Sequence, residues 1–82
     1  MKAEIVGKRV QKLMQRRNVG VEELAEALHI SKKELEDKLE GKEEFFVSEV
    51  IDISQLFLLD INEVNNIFFK EEKEEQYSKN EN

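Results

Sequence analysis

Apolar residues return every three or four positions along almost the whole chain, and no stretch alternates residue by residue for long enough to make a strand. The pattern predicts an all-α domain. From Ala3 to Arg17, Val6, Val10, Leu13 and Met14 share one helical face, Lys8, Arg9, Lys12 and Arg16 fall largely outside it, and Asn18 marks the end. A second, shorter helix is expected from Val21 to about His29. Gly20 is its N-cap, Glu22 and Glu23 occupy the first turn, where the helix dipole favours acids, and Val21, Leu24, Ala25 and Leu28 turn inward.

The third helix opens on Ser31-Lys32-Lys33-Glu34, a capping box in which hydroxyl and carboxylate satisfy backbone donors reciprocally, and it closes before Gly41. Leu35 and Leu39 form its narrow apolar seam. The fourth is read from Ser48 to Leu58, burying Val50, Ile51, Ser54, Phe57 and Leu58. A second capping box, Asp60-Ile61-Asn62-Glu63, starts a fifth helix with Val64, Ile67 and Phe68 inside. No repeat or domain-separating linker interrupts residues 1–70, so the five helices are expected to share one core. Residues 71–82 read as an acidic tail, a helical extension or disordered.

Length limits what this core can do. A chain of 82 residues buries little apolar surface, so efficient packing or a partner subunit is expected to supply stability. The absence of cysteine excludes disulfides and thiolate metal sites, and a cytoplasmic setting is the default expectation. No apolar run approaches the roughly 18 residues of a membrane span. Catalysis finds no support either: there is one histidine, His29, placed where a helix ends, and no phosphate loop, zinc-ligand spacing or nucleophile motif. No cofactor or metal is implied.

The net charge of -6 argues against binding nucleic acid by bulk electrostatics, but its distribution is uneven. Lys2, Lys8, Arg9, Lys12, Arg16 and Arg17 face only Glu4 within the first 20 residues, and the acids gather later. A basic first helix sits on an acidic body.

The helix, short turn, helix layout of Val21 to Glu40 needs a small residue at the crossing, here Ala25, and apolar residues at Leu24, Leu28, Ile30 and Leu35. Through VEELAEALHISKKELEDKLEGK and the later EVIDISQLFLLDINEVNNIFF the chain resembles the Cro/repressor helix-turn-helix family of phages and mobile elements, over residues 5 to 70. It is similar in particular to small members whose third helix ends Lys-Leu-Asn-Gly-Lys, here Lys38-Leu39-Glu40-Gly41-Lys42, and whose last helix carries paired phenylalanines, here Phe68-Phe69.

The resemblance implies a five-helix, lambda-repressor-like domain that regulates transcription by binding a double-stranded DNA operator as a homodimer. It implies base contacts from Lys32, Lys33 and Asp37, with Glu36 beside them, and phosphate contacts at the positions of Val21, Glu40 and Lys42; the basic first helix adds Arg16 and Arg17 as expected phosphate contacts, and of the adjacent Phe68 and Phe69 one is expected in the core and the other at a dimer interface. The chain departs from the family at three positions: Val21 and Glu40 stand where a polar residue and an asparagine usually hold phosphates, and His29 where glycine is usual. A glutamate repels a phosphate, and a valine cannot hold one. The competing reading is a protein-interaction module or anti-repressor that turns its acidic helix-turn-helix face to a basic partner.

Overall fold

The computed structural model describes residues 2–71, and within them the chain is all-helical with no strand. It comprises α1 (Ala3–Arg17), α2 (Val21–Leu28), α3 (Lys32–Leu39), α4 (Val47–Leu56) and α5 (Ile61–Val64), the last running straight into a π-helical turn, Asn65–Phe69. The expected acidic tail after Glu71 lies outside the described residues.

Turn chemistry at the helix ends follows the sequence closely. Asn18 closes α1 in the left-handed conformation at φ 58°, and His29 closes α2 in the same way at φ 60°. Asparagine tolerates that region well; His29 holds it because the His29 and Ile30 amides donate to the Glu26 and Ala25 carbonyls, satisfying the end of the helix. Both capping boxes form, Ser31 with Glu34 and Asp60 with Glu63.

One core joins the helices. Val10, Leu24, Leu35 and Ile53 have no solvent exposure, and Val6, Leu13, Met14, Ala25, Leu28, Leu39, Phe57, Ile67 and Phe68 complete it. Each fully buried large apolar side chain is worth about 1.5–3 kcal/mol against exposure, so this small set carries the fold. Helix α1 lies hard against the end of α3. A methyl group at Gly7 would sit 2.3 Å from the Leu39 carbonyl oxygen, and beside this crossing the Gln11 amide donates to that oxygen at 2.8 Å. Gly41, at φ 84°, turns the chain against Glu4 of α1, a conformation that only glycine holds without strain.

Helix α4 differs from the sequence reading in both position and face. It spans Val47–Leu56, not Ser48–Leu58, and the side chains turned inward are Glu49, Ile53 and, at the C-cap, Phe57. Val50 is half-buried, Ile51 is exposed, and Leu58 projects outward from a left-handed turn at φ 55°. The cause is Glu49, which is drawn inside by a lysine of α3 and rotates the helix about its axis relative to the purely apolar pattern. The fifth helix also departs from regular form, because the Lys70 amide bonds five residues back to Asn65.

Candidate nucleic-acid interface

Helices α2 and α3 meet across the short turn His29–Ser31, with Leu24, Ala25, Leu28 and Leu35 buried where they cross and Ile30 half-buried beside them. Helix α3 is fixed from behind by Leu35, Lys38 and Leu39. Its opposite face is therefore the one left for a partner. Lys32, Lys33 and Glu34 are exposed there, at the N-terminal end, while Glu36 and Asp37 are half-buried.

Each lysine of this surface is engaged by an acid. The Lys33 ammonium donates to Asp37 at 2.8 Å, and this hydrogen bond raises the lysine above its ordinary pKa and holds the Asp37 carboxyl below the usual range. Lys32 reaches back to Glu22 of α2 at 3.8 Å. Lys42 lies 3.1 Å from Glu40. Glu34 is held below the ordinary carboxylate range by the Ser31 amide first and its hydroxyl second.

The cations of α1 are arranged differently. Lys8, Lys12 and Arg16 follow one another four residues apart along the exposed side of the helix, and none enters an ion pair among the described residues. Lys8 and Lys12 border a shallow depression of about 780 Å³ that runs to Leu39 and Glu40 at the end of α3. Arg17 is committed to the fold: it donates to the Phe57 carbonyl at 2.7 Å and lies 5.8 Å from the centre of the Phe57 ring. Arg9 donates to the Ile67 and Lys70 carbonyls and ties α1 to the chain's last turn.

Phe68 and Phe69 divide as adjacent residues must. Phe68 is 1% exposed and meets Phe45 edge-on at 6.1 Å between ring centres, whereas Phe69 is 55% exposed. Phe68 thus gives its surface to this chain's own core, and Phe69 is the member of the pair that faces out. Leu58 and Ile61 are more exposed still, at 86% and 79%, on the corner between α4 and α5.

Two features escaped the sequence. One is the buried pair Lys38–Glu49, in which the ammonium donates to the carboxylate at 2.8 Å and to the Glu44 carbonyl at 3.3 Å. It also lies 4.0 Å from the centre of the Phe46 ring, and Glu49 accepts from the Phe46 amide at 2.8 Å. The signal was present in an acid at the first turn of α4 beside an apolar run, but a charged residue reads as an outward one. The other is an apolar groove of about 380 Å³ between α1, the segment after α3, α4 and the π-helical turn.

Compared with known proteins, the chain finds no match: no family model, no curated protein and no solved structure corresponds to it. Among the described residues no cluster of three potential metal ligands forms, and no helix is long and apolar enough to cross a membrane.

Proposed function

We propose that the protein is a sequence-specific DNA-binding regulator of the helix-turn-helix type, which reads an operator with the exposed N-terminal end of α3. The observation that carries this reading is the placement of Lys32 and Lys33: two exposed cations on the first turn of a helix whose other face is locked to the body. The helix dipole disfavours cations there by some tenths of a kcal/mol, which a contact to guanine or phosphate offsets. Lys33 and Asp37, already hydrogen-bonded, present a donor and an acceptor side by side to base edges. Lys8, Lys12 and Arg16, without an ion pair among the described residues, supply charge for the DNA backbone, with Lys42 once it leaves Glu40. Lys8 and Lys12 replace Arg17 in this role because Arg17 is already occupied.

Two copies meeting through Leu58 and Ile61 complete the assembly, since these are the most exposed of the large apolar side chains among the described residues. Half-sites in the operator then lie about 34 Å apart, one turn of the duplex.

The pairing of Lys32, Lys33 and Lys42 with acids supports a second reading, in which the acidic face of α2 and α3 meets a basic protein. Selection of bound fragments from random duplex DNA separates the two. A recovered palindrome supports the regulator; a pool that remains random through repeated rounds at low salt removes it and leaves the second reading.

A further inference from the structure

The groove beside α4 has a chemistry unlike that of α3. Its walls are carbon, supplied chiefly by Val6, Val47, Val50, Ile51, Val64 and Phe69, and among the described residues no basic side chain lines it. Its rim carries Glu43 and Glu44, both exposed and both without an ion pair among the described residues. Every acid on the outer face of α3 that touches a cation is partly neutralised; these two are not. Val47 in the wall is 77% exposed, and its chain neighbour Phe46, just outside the lining, is 66% exposed, so the patch is longer than a small ligand covers. Contiguous exposed apolar surface of this kind marks a contact with another molecule, whereas isolated exposed leucines are ordinary.

The backbone is adapted to this surface. The π-helical turn Asn65–Phe69 sends Phe68 into the core and leaves its neighbour Phe69 on the edge of the groove. Such turns concentrate at functional positions because they sacrifice regular helix geometry.

We propose that the groove binds an amphipathic helical segment of a basic partner protein, with its apolar side chains seated on Val47, Ile51 and Phe69 and its lysines or arginines against Glu43 and Glu44. Charge selects this occupant. DNA is repelled by the acidic rim and gains nothing from carbon walls. A second copy of this chain, meeting the groove across a two-fold axis, brings the same two carboxylates toward themselves. A helix with apolar anchors at i, i+3, i+4 and i+7 and cations between them satisfies both wall and rim. The proposal is independent of whether α3 meets DNA.

The test uses the full chain labelled with ¹⁵N and a synthetic peptide of roughly four helical turns, leucine at the anchor positions and lysine elsewhere. The expected result is binding that shifts the amides of Val47, Ile51 and Phe69. It weakens at least tenfold in Ile51→Lys and in the double variant Glu43→Lys/Glu44→Lys, but not in Glu22→Lys/Glu23→Lys, which changes net charge equally on α2. Ile51 is exposed, so its replacement leaves the fold intact, as circular dichroism verifies. Equal weakening by the α2 variant reduces the contact to general attraction and overturns the proposal. So does equal binding of a peptide with glutamate in place of lysine, or an absence of shifts at these residues. Sedimentation of the wild type as a dimer that Ile51→Lys converts to monomer assigns the groove to a second copy, and also overturns it.

Discussion

The ammonium of Lys38 and the carboxylate of Glu49 lie 2.8 Å apart with almost no access to solvent, and they join the back of α3 to the first turn of α4. The pair is fully satisfied: the Glu44 carbonyl takes a second ammonium proton, the Phe46 amide donates to the carboxylate, and no buried side-chain polar atom among the described residues lacks a partner.

Removing one member leaves the other buried and unpaired. Lys38→Met is therefore expected to cost about 3–5 kcal/mol, much more than a typical surface change. Adding Glu49→Gln to it should recover part of the loss, because the glutamine carbonyl still accepts from the Phe46 amide. Urea denaturation of the wild type, both single variants and the double variant measures the coupling. Additive losses would show that the two side chains do not act as a pair.

Gly7→Ala should destabilise the fold even though alanine is the better helix former. The added methyl meets the Leu39 carbonyl and forces α1 from α3, where overpacking typically costs about 1–3 kcal/mol. Thermal denaturation is expected to show a midpoint lower by several degrees. Gly20→Ala, at an N-cap with open space around it, should show a far smaller change.

Acid should loosen the start of α3 before the core. Glu34 and Asp37 have lowered pKa values in the folded protein, so their contributions are present above the ordinary carboxylate range and fade as pH falls through the lowered values. Lys33 has the opposite sign: its contribution is complete below its ordinary pKa and is lost as pH rises through the raised one. The protection factors of the Ser31 and Glu34 amides, followed from neutral to acid pH and corrected for intrinsic exchange rates, should fall ahead of those at Val10 and Leu13. In Glu34→Gln the Ser31 amide should lose most of this dependence.

On the DNA reading, Lys32→Ala with Lys33→Ala should abolish operator binding. Glu40→Asn should tighten binding to every sequence, because it removes a like charge from the backbone and frees Lys42, now 3.1 Å from Glu40, to reach a phosphate. One added phosphate contact steepens the salt dependence of log K by about 0.9 for duplex DNA. Titrations of a selected operator at several salt concentrations give both quantities. An unchanged salt slope in Glu40→Asn would place Lys42 away from the backbone.

Local signals made most of the fold legible. Asn18, Gly20, Ser31 with Glu34, and Asp60 with Glu63 each fix a helix end through hydrogen bonds within a few residues, so the sequence alone locates them. The inward faces of α1, α2 and the last helix follow from simple apolar spacing. Helix α4 does not, because Glu49 becomes an inward residue only when Lys38, 11 positions earlier, arrives to neutralise it. The candidate DNA face was legible in its members but only in part in its pairing: Lys33 and Asp37 are neighbours on one helix, whereas Lys32 and Glu22 meet only because α2 and α3 fold together. The groove was hidden for the same reason, as its walls come from both ends of the described chain.

The π-helical turn also sets how this chain tolerates changes of length. Between Asn65 and Phe69 the backbone holds one residue more than a regular turn would, and within it Phe68 is buried in the core while Phe69 stays exposed at the groove. Deleting one residue from the regular helix before this turn, between Ile61 and Val64, would rotate Phe68 and Phe69 by about 100° about the helix axis. Phe68 would leave the core, and the edge of the groove would lose its aromatic side. An insertion or deletion that an exposed loop absorbs easily therefore alters two surfaces at once in this segment.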